Sequence, residues 1–304
     1  AGSMNWGDHE LDYMAQAHWN HFSFRIGELK DIDRSKKIIE LAPYRGDDGL
    51  AVTPVQSIYY DTLIICIGSL SNDFGTKGVK EFALRLETQS DAKSFHSKMV
   101  NACIRAHHQN ENIHKRQLHV AIIGAGATGV ELAAELHRTT REVVAFGLDR
   151  IDSDKDIKVS LIEAADRILP ALPSRLSLAT ELLLSRLGVQ VLTNSKVMEV
   201  TSTGVHMSDG SEIESELVVW AAGVKAPDFL KDFGGLETNK NNQLVVQPTL
   251  QTTLDPNVFA LGDCAACPCS DEDGGRAGIV PPRAQAAHQQ AMHMVHQVKP
   301  RLSV

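Results

Sequence analysis

Three observations predict an α/β fold built on a parallel sheet. Strand-length apolar runs alternate with helical stretches along most of the 304 residues. The run at 61–69 is continuously apolar before it ends in glycine, the mark of a strand covered on both faces. Between 119 and 192 the order strand, helix, strand, helix, strand is complete, which calls for parallel strands joined by right-handed crossovers.

Taken in order, Ala1-Gly2-Ser3-Met4 reads as a cloning scar and is set aside. Residues 22–26 and 37–41 are expected as strands between polar turns, and 61–69 as a buried strand. Residues 90–110 are helical, with Phe95, Met99, Cys103 and Ala106 spaced to share one face. His119–Ile123 is a strand, 124–129 a turn and 130–138 a helix. Strand 158–163, helix 176–187 closed by Gly188, and strand 189–192 follow. Residues 196–200 and 204–207 suggest an antiparallel meander, 217–220 and 258–261 two more buried strands. Residues 270–278 form a polar, glycine-rich loop, and 284–298 a helix.

Composition excludes several classes. Hydrophobic residues at 43% and charged residues at 22% fit a soluble globular chain rather than a disordered one. The net charge of −8, with no basic run, argues against nucleic acid, whose affinity comes largely from phosphate neutralisation. The longest apolar runs, 63–67 and 217–224, fall short of the ~20 residues of a membrane span. Five cysteines, an odd number, without a secretory signal read as reduced thiols.

Gly124-Ala125-Gly126-Ala127-Thr128-Gly129 has the G-x-G-x-x-G spacing, directly after an apolar strand and at the start of an amphipathic helix. Gly124 permits the tight turn, Gly126 lets a pyrophosphate approach the backbone, and Gly129 lets helix and strand pack closely. The helix start, with Ala127 and Thr128, offers free amides and a favourable dipole to the phosphates. A structural glycine turn is the alternative. Glu163, at the end of the second strand, can accept from the ribose hydroxyls and repels a 2′-phosphate, favouring NADH over NADPH. It stands 39 residues after Gly124, beyond the usual ~20. The polar stretch 139–157 absorbs the excess. Arg167 nearby is a residue type that accepts a 2′-phosphate, and an ordinary strand-end glutamate is the other reading of Glu163.

The stretch 122–137, IIGAGATGVELAAELH, resembles the NADH turn of the type II NADH:quinone oxidoreductases. GSLSNDFGT at 68–76, WAAGVKAP at 220–227, LGDCA at 261–265 and PPRAQAAHQ at 281–289 continue the resemblance in the family's order, and bacterial members are the nearest in pattern. The resemblance implies a single-subunit, FAD-containing enzyme on one face of a membrane. Hydride would pass from NADH to flavin and two electrons to a quinone, with no proton pumping. It implies two Rossmann-like domains, the NADH domain inserted into an incomplete FAD domain. The expected divisions are 5–112 and 225–304 for the FAD domain and 113–224 for the NADH domain. The expected chain is a core truncated at both ends, lacking the ADP-binding βαβ unit and a C-terminal membrane segment. The implied location is the cytoplasmic face of the inner membrane, soluble as truncated, with room left for a homodimer.

By resemblance, Gly262 and Asp263 lie at the flavin, where the carboxylate accepts from ribityl hydroxyls, while Gly68 and Gly223 border cofactor. Each is also readable as a plain turn residue. Ala284 and Gln285 would sit near the flavin ring and the quinone entry. Many members continue A-Q-x-x-x-x-E, and this chain carries Gln290 in the glutamate position, a departure that bears on quinone protonation. Glu131 is the carboxylate the family places near nicotinamide and flavin; its plain reading is a first-turn glutamate favoured by the helix dipole. Cys264 and Cys267 raise a rival reading, a flavin reductase acting on a disulfide or protein partner, but buried structural thiols are the expectation. A third reading is a non-catalytic NADH-binding fragment. The pairs His18/His21 and His293/His296 lack the partners of a metal site, and none is expected.

Overall fold

The computed structural model describes residues 11–145, 147–269 and 278–299. The proposed scar at 1–4 and nearly all of the loop at 270–278 lie outside the described residues. The chain divides into two compact units, one spanning Ser71–Gly223 and the other made of the segments before and after it in sequence.

The Ser71–Gly223 unit is a five-stranded sheet in the order Leu84–Arg85, Leu217–Trp220, His119–Ile123, Lys158–Ile162, Val189–Leu192. All four pairings are parallel. His119–Ile123 is buried at every position, as helices on both faces require. Ala127–Ala145 buries Val130, Leu132, Ala133 and Leu136. Gln89–His108 buries Phe95, Met99, Cys103 and Ala106, the face expected from their spacing. Thr88 caps that helix: its hydroxyl accepts from the Asp91 amide at 3.1 Å, and Asp91 accepts from the Thr88 amide at 2.8 Å. These side chains form one core with Val120, Ile122, Leu161 and Val219. The meander is present as Val197–Val200, Gly204–Met207 and Glu212–Glu214, all antiparallel. The unit begins well before the 113 expected for its domain, because the Gln89–His108 helix is a layer of its core and Leu84–Arg85 is a strand of its sheet.

The second unit holds an antiparallel sheet of Glu28–Asp33, Ile38–Ala42 and Gln56–Tyr59. The strand expected at 22–26 is instead irregular, and the pairing strand starts at Glu28. Residues 22–26 alternate in apolar character, but among the described residues they pair with no strand, whereas Glu28–Asp33 pairs with Ile38–Ala42. The helix Tyr13–Asn20, capped by Asp12, was not expected from the sequence. The run at 61–69 contributes only Leu63–Ile65, parallel to Asp255–Ala260. The core collects Ile32, Ile65, Leu230, Phe233, Leu244 and Phe259, with Met294 from the helix Ala284–Val298. Among the described residues no helix is long and apolar enough to cross a membrane.

A polar chain runs through the five-stranded sheet. His119 Nε2 lies 2.9 Å from Ser160 Oγ, which donates to Gln190 Oε1 at 3.1 Å. With the serine proton committed to Gln190, His119 donates from Nε2. Burial holds its pKa below the ordinary 6.5. Protons therefore bind the unfolded chain first as pH falls. The stability this residue contributes is complete above about pH 6.5 and is lost as pH drops below that value toward the folded pKa. Thermal melts between pH 7.5 and 5.5 should show a decline that is shallower in His119→Gln; identical pH slopes in the two proteins would overturn this account.

Candidate functional site

The turn at 124–129 joins the central strand to the Ala127–Ala145 helix. The Gly124 amide donates to Ile162 O at 2.8 Å, and Leu169 N–H donates to Ala125 O at 2.8 Å, so the turn is tied to the neighbouring strand and the loop beyond it. A Cβ on Gly129 would stand 1.9 Å from Gly124 O, whereas one on Gly126 would meet nothing within 4 Å. The third glycine is therefore demanded by packing, and the second faces open space. Gly126, Ala127 and Thr128 are exposed at the helix start, where the first amides have no intrahelical partner.

Beside the turn lies a cavity of about 540 Å³, within the range of small-ligand pockets. Gly124, Gly126, Glu163 and Gly223 all line it, so four of the residues singled out in the sequence are brought together. The Glu163 carboxylate accepts from the Ala125 amide at 2.7 Å and from the Ala165 amide at 2.9 Å. These bonds use one lone pair on each oxygen and leave capacity for hydroxyl donors in the cavity. Glu163 thus fastens the turn and presents negative charge to a ligand at once. Arg167 donates to Pro170 O at 2.8 Å and is not part of the lining; Lys196 is the cation that is. Lys196 was not singled out, since no spacing rule marks a loop after the third strand; Phe74 and Trp220 lie in the stretches 68–76 and 220–227 that carry the resemblance, but no role was read from them. Glu131 falls in the second turn of its helix rather than the first, exposed and outside the lining, because the helix already begins at Ala127.

In the other unit the C-terminal ends of two parallel strands come together, with Leu261 N–H donating to Ile65 O at 3.1 Å. Gly68 and Gly262, both with positive φ, follow these ends. Ser69 Oγ donates to Asp263 Oδ2 at 2.8 Å, which orients the carboxylate. A Cβ on Gly68 would meet nothing within 4 Å, and one on Gly262 would meet Ala287 Cβ at 3.5 Å. Ala284 and Gln285 open the helix that carries Ala287, and both are exposed. Gln290, marked in the sequence only as a departure from the family's pattern, has a partner here: its Oε1 accepts from the Gly262 amide at 2.7 Å, fixing that turn to the helix.

The cysteines are free. Cys264 and Cys267 are buried, and burial holds both thiols above their ordinary range. Cys264 Sγ donates to Leu261 O at 3.3 Å and lies 3.5 Å from Ile65 O. A protonated, buried thiol is a poor nucleophile. Among the described residues no three His, Cys, Asp or Glu side chains are grouped as a metal centre.

The pyridine nucleotide-disulphide oxidoreductase family matches residues 15–291. A type II NADH:quinone oxidoreductase of Haemophilus influenzae is 40% identical over 95% of this chain and 67% of its own length. The type II NADH:quinone oxidoreductase NdhA of Mycobacterium tuberculosis is 30% identical over 90% of this chain and 57% of its own. The solved structure of NDH2 from Plasmodium falciparum in complex with NADH superposes with a TM-score of 0.69 at 25% identity, covering 79% of this chain and 50% of that one. The chain thus spans from half to two thirds of these relatives.

The turn yields a paired test of stability. Gly129→Ala should lower unfolding free energy by about 2 kcal/mol or more, because a backbone oxygen must move, while Gly126→Ala should stay within about 0.5 kcal/mol of the parent. Denaturant melts of the two variants decide it, and equal losses would show that Gly129 is not a packing glycine.

Proposed function

This chain belongs to the pyridine nucleotide-disulphide oxidoreductase family and, within it, to the type II NADH:quinone oxidoreductases, and we propose that it performs their electron transfer: NADH gives up a hydride, and two electrons pass through FAD to a quinone. The observation that carries the reading is the glycine turn beside a cavity closed on its strand-end side by the Glu163 carboxylate. The turn amides hold the pyrophosphate of NADH. Glu163 accepts from the adenosine ribose hydroxyls and discriminates against a 2′-phosphate by charge.

The ends of the parallel pair in the other unit fit a flavin. Gly68 leaves room for close approach, and the Asp263 carboxylate has acceptor capacity beyond its bond from Ser69 for hydroxyls of the ribityl chain. FAD, when bound, supplies the two-electron acceptor. The protein's own part is to hold Asp263 through Ser69, to hold Gly262 through Gln290, and to keep Cys264 protonated and out of the chemistry. A quinone acceptor dissolved in lipid places the enzyme at a membrane surface, and we assign it to the cytoplasmic face of the inner membrane. The disulfide-reductase reading is disfavoured by the burial of Cys264 and Cys267.

With FAD supplied in excess, because a chain lacking the ADP-binding unit is expected not to hold it tightly unaided, NADH should bleach the flavin band without oxygen and a short-chain quinone should restore it. Cys264→Ser with Cys267→Ser should leave this cycle unchanged. Restoration by a disulfide and not by quinone would overturn the assignment, and NADH binding without bleaching would support the non-catalytic reading. The nucleotide preference has its own check. Glu163→Ser should reduce the ratio of kcat/KM for NADH over NADPH by about tenfold, the equivalent of about 1.4 kcal/mol; an unchanged ratio would remove Glu163 from selectivity.

A further inference from the structure

The loop at 72–76 is held more firmly than a connection requires. Phe74 has φ +51°, in the left-handed region that bulky side chains rarely adopt, and Gly75 follows at +71°. Two side chains clamp this turn: Asn72 Oδ1 accepts from the Phe74 amide and Asp73 Oδ1 from the Gly75 amide, both at 3.0 Å. Asp73 also pairs with Arg85 at 3.3 Å. The loop is in turn fastened to the strand Leu217–Trp220 and its end. Trp220 Nε1–H donates to Asn72 O at 2.9 Å, and the Asn72 amide donates to Gly223 O at 3.2 Å.

All this positions one aromatic ring. Phe74 lines the cavity and lies against Gly223, where a Cβ would come within 2.4 Å of the ring. It is nonetheless 66% exposed, so core packing does not account for it. Strain maintained by surrounding bonds, with the side chain left open in a pocket, is what a ligand-contacting residue shows.

Strand order tells which half of a dinucleotide the ring would meet. The sheet reverses at His119–Ile123, with Lys158–Ile162 and Val189–Leu192 on one side and Leu217–Trp220 on the other. A dinucleotide crosses such a switch point with its pyrophosphate on the turn. Its adenosine lies toward Glu163, so its second ring lies toward Trp220, Gly223 and Phe74. We propose that Phe74 is the aromatic platform for the nicotinamide ring, the contact by which this site separates NADH from nucleotides that share only its ADP-ribose half. The inference rests on the dinucleotide reading of the cavity.

Affinities for NADH and ADP-ribose, measured by calorimetry on the parent, Phe74→Asn, Phe74→Leu and Phe74→Tyr, test it together with Tm. Asparagine tolerates a left-handed backbone, so Phe74→Asn should keep or raise Tm. It should weaken NADH about fivefold, as expected for an aromatic contact of about 1 kcal/mol. ADP-ribose should change less than about twofold on the same scale, and Phe74→Tyr should restore NADH binding. Equal weakening of both ligands, unaltered NADH affinity, or a Tm loss in Phe74→Asn matching its loss of affinity would overturn the proposal. A parent that binds NADH while the variants leave it unaltered removes this inference alone. A parent that binds neither ligand removes the dinucleotide reading and this inference with it.

Discussion

The contact of Gly129 with the Gly124 carbonyl governs the Ser71–Gly223 unit. It seats the Ala127–Ala145 helix on the central strand at a distance no other residue permits. On its other side Gly124 has the backbone of Ala222 where a Cβ would stand, at 2.7 Å. The turn is therefore wedged between its own helix and the end of the neighbouring strand. Glu163 completes the enclosure by accepting from Ala125, so three strand ends converge on one loop. The cavity is the space left beside that convergence, and Gly126 lines it where a Cβ would meet nothing within 4 Å.

Where structure follows from local pattern, the sequence was legible. The strand His119–Ile123 with its glycine turn and the strands Val197–Val200 and Gly204–Met207 lie where periodicity and turn residues put them. So does the final helix, Ala284–Val298. The helix after the turn, by contrast, runs from Ala127 to Ala145, past the expected 130–138, and the strand Glu212–Glu214 was not expected. What was not legible depends on partners distant in the chain. Phe22 to Ile26 alternates like a strand, yet Glu28–Asp33 takes the ladder because Ile38–Ala42 pairs there. The 89–108 helix was foreseen, but not that its apolar face belongs to the inserted unit. At the site, the glycines and Glu163 carry a motif. What Phe74, Lys196 and Gln290 touch is set by tertiary structure; the spacing marked Gln290 only as a departure from the family's pattern and did not announce its bond to Gly262.

The two units divide the chemical labour in physical terms. One supplies backbone amides, a carboxylate and an aromatic ring around its cavity, which on the proposed reading orient a charged dinucleotide. The other supplies open glycines and an oriented carboxylate at the ends of a parallel strand pair. The buried thiols are held protonated: Cys103 is pushed up to about 11 by burial, and Cys264 and Cys267 are raised for the same reason. Hydride transfer needs no protein nucleophile, only alignment, and a site poor in reactive side chains suits it.

The Gly262 amide meets an uncharged acceptor. A carboxylate in place of Gln290 would make that hydrogen bond a titrating one, stronger when ionised and weakened when an acid environment protonates it. The Gln290 carboxamide gains and loses no proton over the range in which proteins work. The strand-end turn is thereby insulated from proton concentration: its anchor to the helix has the same strength on either side of a proton gradient.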